Sequence, residues 1–203
     1  MREMLLELYA STTPEVRRRG RRWYPLMRHR LRSLAQEHQR PLSQVAAVLA
    51  ITSVDAQLAV NLRWTEEILR GEREAGRYPA NQAPKVRAAL GARYPCRHVT
   101  GPKVQAFYRA VMGDPDALVL DRWMLKPVLG HDGRRVPRIQ ERAQIEQIYR
   151  SAAETCGERV AHFQAIIWIA LRESTPDRRG RLRNLPDITK GENHGTRHRR
   201  KPA

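Results

Sequence analysis

Gly101-Pro102-Lys103-Val104-Gln105-Ala106-Phe107-Tyr108, and after it Leu120-Asp121-Arg122-Trp123-Met124-Leu125, decide how this chain reads. Glycine permits a close backbone approach, and proline suits the first helical position, where its missing N–H is no loss. Val104, Phe107, Tyr108 and Val111 recur three and four residues apart, which predicts an amphipathic helix ending at Gly113. Asp114-Pro115-Asp116 turns the chain. The apolar run 117–120 then delivers Asp121 to the start of a second amphipathic stretch, residues 123–129. A carboxylate in that place is either a helix N-cap or a functional acid fixed beside a helix terminus.

Helical signals extend in both directions. Residues 2–10 form a short amphipathic segment, and Thr13-Pro14-Glu15 is a helix start with a capping hydroxyl, proline and an acid in the first turn. The helix that follows, to Gln39, buries Trp23, Leu26, Met27, Leu31 and Leu34 on one face, and Pro25 kinks or divides it. Its arginines (Arg17, Arg18, Arg19, Arg21, Arg22, Arg28, Arg30, Arg32) either line a phosphate groove or form a wet face. Ser43 is expected to cap an almost wholly apolar helix through Val45, Val48, Leu49 and Ile51, which should lie at the centre. Thr52-Ser53-Val54-Asp55 then leads into a helix expected over 55–70, with Gly71 as its stop. Residues 72–79 read as a polar connector, and Asn81 as the cap of a helix closed by Gly91. Residues 131–135 form a turn, Pro137 opens a helix with Ile139, Ile145, Ile148 and Tyr149 on its core face, and 158–171 is the last helix. Strand periodicity is weak throughout, so the class is all-α. From Ser174 the chain loses periodicity and turns to Pro, Gly, Asn and basic residues, the composition of a disordered arm.

With 203 residues the chain suits one domain plus tails. A formal charge of +17 favours a polyanionic partner, nucleic acid before others, over a surface charged only for solubility. Residues 174–203 hold nine Lys or Arg against three acids, so +11 of that charge belongs to the body. No apolar run approaches a membrane span of about 18 residues, and the N-terminus has no signal-peptide plan. A cytoplasmic monomer is expected. Cys96 and Cys156, 60 residues apart, build neither a zinc site nor an iron–sulfur cluster, and buried free thiols are the expectation. No metal and no cofactor is implied.

The Gly-Pro-Lys helix start followed by an aspartate after an apolar run resembles the helix–hairpin–helix (HhH-GPD) DNA glycosylase superfamily, and within it the endonuclease III-like branch. That motif is a Leu-Pro-Gly-Val-Gly-x-Lys hairpin and, a helix later, an aspartate in a Val-Asp-Thr-His-like setting. Gly101 matches the second glycine, Lys103 the lysine and Asp121 the aspartate, with 18 residues from Lys103 to Asp121 as in that branch. The apolar helix before Thr52, the segment 81–90 and the segment 125–130 resemble neighbouring family helices, so the likeness runs from about Leu42 to Leu171. Val99 replaces the first glycine, Arg97-His98 the Leu-Pro, and Arg122-Trp123 the Thr-His, and the four-cysteine cluster is absent. The resemblance is to a divergent member without the iron–sulfur cluster.

The resemblance implies a two-lobed helical fold, with N-terminal basic helices at 1–40, a glycosylase core at 41–172 and a basic tail at 173–203. It implies double-stranded DNA as partner, base flipping, and excision of a base by N-glycosidic cleavage to leave an abasic site. Asp121 takes the role of the catalytic carboxylate. Lys103 is either the amine that attacks C1′ and adds strand cleavage, or a phosphate contact. Thr100, Gly101, Lys103 and Arg122 are the DNA-contact candidates. Thr52, Ser53, Asp55 and Gln57 are candidates for a base pocket or wedge, with helix capping as the other reading. Trp123 either stacks on the flipped base or packs in the core. Because the departures gather around the pocket, a modified or phage-type base is expected, which would suit defence against phage with modified DNA. The rivals are a base-hypermodification enzyme of the same fold and a DNA-binding module without chemistry.

Overall fold

A computed structural model describes residues 1–54, 56–72, 82–130 and 137–175. The described residues form α1 (Arg2–Ala10), α2 (Pro14–Glu37), α3 (Leu42–Thr52), α4 (Leu58–Leu69), α5 (Ala83–Gly91), a 3-10 turn (Pro95–His98), α6 (Pro102–Met112), α7 (Arg122–Leu129), α8 (Ile139–Thr155) and α9 (Val160–Ser174). No strand occurs among them, and the class is all-α.

Helix α2 begins as its residues dictate: the Thr13 hydroxyl accepts from the Val16 N–H at 3.2 Å, and Pro14 follows. It runs unbroken past Pro25. Trp23, Tyr24, Met27 and Leu31 hold one face buried on both sides of the proline, and Pro25 itself is exposed. Tertiary burial thus outweighs the lost backbone bond, and the expected division is absent. Against this helix lies α9. At Gly20 the two backbones approach so closely that a Cβ would stand 2.7 Å from Ile166 Cα and 2.8 Å from its N.

Helix α3 is buried from Val45 to Thr52 and touches α2, α4, α5 and α6. Its near-uniform apolarity is what a central helix requires. Three apolar clusters surround it and the α2–α9 pair. One joins Met27, Leu31, Val45, Leu49, Val111 and Ala165. A second joins Leu5, Leu118, Met124, Tyr149, Phe163 and Ile166. The third joins Val48, Ile51, Val86, Val99 and Val104. Helix α6 thus packs on the α3 side, and α7 on the α1, α8 and α9 side.

Four expectations need correction. Pro41, not Ser43, is the N-cap position of α3, because its extended φ of -59° and ψ of 138° set the helix start two residues earlier. The helix expected over 55–70 begins only at Leu58, after an extended Gln57. Ile139 is 89% exposed, because α8 turns its Ile145 and Tyr149 face inward instead. Cys96 is exposed, since the 3-10 turn sends Pro95 into the core and the next side chain out; Cys156 is part-buried, and both are free thiols. The expectations for residues 73–79, Asn81, 131–135 and the tail from 176 lie outside the described residues.

Candidate functional site

Asp121 sits where two elements meet, between the buried run 117–120 and the first turn of α7. Its Oδ1 accepts from the backbone N–H groups of Trp123 at 2.8 Å and Met124 at 3.0 Å. It is therefore the N-cap of α7, and the positive end of the helix faces its charge. Its Oδ2 accepts from the indole N–H of Trp168 on α9 at 3.2 Å. Burial raises the Asp121 pKa above the ordinary carboxylate range; the Met124 N–H, the Lys103 charge, the Trp123 N–H and the Trp168 N–H pull against that rise. The buried phenols of Tyr24 and Tyr149 are raised too, by burial first and by the Asp121 charge second. Tyr24 donates to Gln164 at 2.7 Å and Tyr149 to the Met124 carbonyl at 2.6 Å, so both are fixed beside the carboxylate.

Lys103 comes from the other side. It projects from the first turn of α6, and its Nζ donates to the Ser53 carbonyl at 2.9 Å and approaches Ser53 Oγ at 3.5 Å. Ser53 is the C-cap of α3, so the ammonium meets the carbonyl end of that helix. Its charge also reaches Asp121. The fold thus brings Lys103 of α6 onto Ser53 of α3, with Asp121 at the start of α7 within reach of the lysine's charge.

Gly101 caps α6 with φ 89° and ψ 139°, a backbone open to glycine and strained for other residues, while nothing lies within 4 Å of where a Cβ would be. The conformation, rather than lack of room inside the protein, demands glycine. Thr100 and Arg122 are exposed, and Thr100 accepts from Lys85 Nζ at 2.8 Å. Thr52 has no exposed surface; its hydroxyl donates to the Val48 carbonyl at 2.8 Å and meets Asn61 Oδ1 at 2.6 Å, while the Asn61 amide donates to the Leu49 carbonyl at 3.0 Å. That buried network ties α3 to α4. Gln57 is the exposed N-cap residue of α4, and Asp55 lies outside the described residues. Trp123 is 8% exposed and packs in the core, with Lys126 Nζ 4.1 Å and Arg172 Cζ 4.9 Å from its ring centroid.

Several residues at this place are not legible in the sequence. Trp168 lies 47 residues from Asp121 between two core isoleucines, and only the α7–α9 packing joins them. Arg172, one turn further, covers both the Trp123 and Trp168 rings. The only signal for either is a Trp and an Arg four apart on one helix, a spacing that many helices share. Among the described residues no three His, Cys, Asp or Glu gather as metal ligands, and no helix is long and apolar enough to cross a membrane.

The arginines of α2 largely serve the fold. Arg19 pairs with Glu173 at 2.6 Å, Arg21 with Glu158 at 2.6 Å, Arg30 with Glu66 at 3.0 Å, and Arg18 with Glu15. Arg17 donates to the Thr12 hydroxyl and the Tyr9 carbonyl.

A family model matches residues 1–175 of the 203. The chain belongs to the DUF7178 family, a family of unknown function. The Lys103–Ser53–Asp121 arrangement lies wholly within the DUF7178 match. No curated protein and no solved structure matches the chain.

Proposed function

We propose that this DUF7178 protein is a DNA glycosylase with a two-lobed helical fold of the HhH-GPD kind. It would flip out and excise a modified base from double-stranded DNA and leave an abasic site. The observation that carries the reading is the Asp121 carboxylate, held by three donors at the start of α7, with the Lys103 charge acting on it from α6. Breaking an N-glycosidic bond sends its electron pair out with the base and leaves oxocarbenium-like positive charge on the sugar. A rigid carboxylate stabilises that charge and takes the proton of the water that adds to C1′. Among the described residues Asp121 receives three donors, two on Oδ1 and one on Oδ2. A carboxylate has about four lone-pair positions, so one on Oδ2 is left for water.

Lys103 in this reading is first an electrostatic partner of Asp121 and of a DNA phosphate. Its bond to the Ser53 carbonyl favours that role over attack on C1′. Borohydride trapping on abasic DNA tests the point: no adduct is expected, and an adduct that disappears in Lys103→Ala would assign strand-cleaving chemistry to the lysine.

The full use of Oδ1 as a helix cap favours a second reading, a DNA-binding module without chemistry. Asp121→Asn separates the two. It keeps the capping oxygen and removes the charge, so a glycosylase loses base release while DNA binding persists. A binding module shows no base release in the unaltered protein.

A further inference from the structure

The segment from α5 through α6, residues 82–113, contains Lys85, Arg87, Arg93, Arg97, Lys103 and Arg109 and not one acidic residue. On α2, by contrast, Arg18, Arg19, Arg21 and Arg30 pair with glutamates, while here Arg109 turns to Asp114 just beyond the segment. At its apex is the 3-10 turn, entered by Tyr94. Two internal bonds close the turn, Arg97 N–H to the Tyr94 carbonyl and Val99 N–H to the Cys96 carbonyl, each 3.2 Å. Pro95 and Val99 are buried and anchor it on α3 and α5. Tyr94 points the other way and is 52% exposed. An aromatic ring standing out from a rigidly anchored turn is not filling the core.

The neighbours of that ring are cations. The guanidinium carbons of Arg93 and Arg97 lie 5.5 and 5.2 Å from its centroid. Both arginines are exposed, and neither makes an ion pair with an acid among the described residues. A half-exposed ring with two solvent-facing guanidiniums over it has the makings of a nucleotide contact: phosphates on either side draw the guanidiniums off the ring, and a flat face is left for a base. A fully paired duplex offers the phosphates but no free base face.

We infer that the turn Tyr94–His98 binds DNA at an unpaired or unstacked nucleotide, with Tyr94 stacking on the base and Arg93 and Arg97 on the flanking phosphates. This deepens the glycosylase reading, which requires a disrupted stack, and rests on it only for the biological setting. The stacking itself is independent of any chemistry at Asp121.

The test uses the full chain and a 25-base-pair duplex with a single bulged 2-aminopurine, against the same duplex fully paired. The bulged duplex should bind about 10-fold more tightly, and binding should quench its fluorescence. Tyr94→Ala should abolish that preference and the quenching, and Tyr94→Phe should keep both. The double variant R93A/R97A should weaken both duplexes alike and lower the slope of log affinity against log salt by about 2. Equal binding of the two duplexes by the unaltered protein, or an unchanged preference in Tyr94→Ala, would overturn the inference. If the bulge preference depends on Tyr94 yet no base is ever released, the stacking site stands and the glycosylase reading falls.

Discussion

The indole N–H of Trp168 donates to Asp121 Oδ2 at 3.2 Å, tying the carboxylate at the start of α7 to the middle of α9. Trp168 is itself held, with the Trp23 ring 5.1 Å away and the Arg172 guanidinium 5.6 Å from its centroid. The carboxylate is thus fixed from two directions, by its own helix on Oδ1 and by a packed side chain on Oδ2.

Trp168→Phe removes that one donor and keeps an aromatic ring between Trp23 and Arg172. The lost bond favoured the charged carboxylate, so the Asp121 pKa should rise further, as read by carboxyl 13C NMR titration without DNA. Any base-release rate should fall about 10-fold, the loss of about 1.4 kcal/mol expected for one bond to a charged group. An unchanged titration would show that Trp168 only fills space.

The raised Asp121 pKa also fixes a pH dependence. The folded state holds the Asp121 proton more tightly than the unfolded chain does, so this group's stability contribution is full below the ordinary aspartate range. That contribution is lost as pH rises through the folded value. Activity runs the other way, since the reaction needs the ionised form. The acid limb of the rate profile should therefore fall above the ordinary carboxylate range of about 4. Steady-state rates between pH 4 and 8 check this, and a limb at or below the ordinary value would contradict it.

Glu158 titrates in the opposite sense. Although burial acts to raise it, the bonds from Arg21 at 2.6 Å and Tyr9 at 2.7 Å hold its pKa below the usual glutamate range. Its contribution is present above the unfolded value and lost as pH falls through the folded one. Glu158→Gln should lower stability by about 1–3 kcal/mol at neutral pH. Thermal unfolding should show the gap closing as pH is taken below about 4. His162, whose pKa burial lowers and the Glu158 charge raises, should titrate lower still in that variant.

Gly20→Ala tests the α2–α9 contact. The added methyl would meet Ile166 backbone atoms at 2.7 and 2.8 Å, which no side-chain rotation relieves. Overpacking of this kind costs about 1–3 kcal/mol. Differential scanning should find a melting temperature lower by several degrees, at about 2–4 °C per kcal/mol for a chain of this size. An unchanged value would mean that the helices separate at no cost.

Helix periodicity made most of the fold readable. The glycine stops at Gly71 and Gly113, the Thr13-Pro14 start, the buried α3 and the Asp121 cap all follow from local chemistry. What could not be read is what depends on partners far away in the chain. Nothing in the neighbours of Gly20 says that Ile166 lies against it, and nothing near Trp168 points to Asp121. The density of arginines on α2 leaves a phosphate groove and a wet face both open, and glutamates from α4, from α9 and from the residue preceding the α9 cap take up several of them. Arg93 and Arg97, beside Tyr94, face solvent instead.

Mass spectrometry of free bases is the sharpest test of base excision at Asp121. The unaltered protein and Asp121→Asn would be incubated with genomic DNAs carrying different base modifications. Release of one class of modified base by the unaltered protein is expected, with matching abasic sites. Asp121→Asn should lose at least about 100-fold of that release, with DNA affinity retained. Release undiminished in Asp121→Asn, or no base released from any of the DNAs by the unaltered protein, would contradict base excision at Asp121.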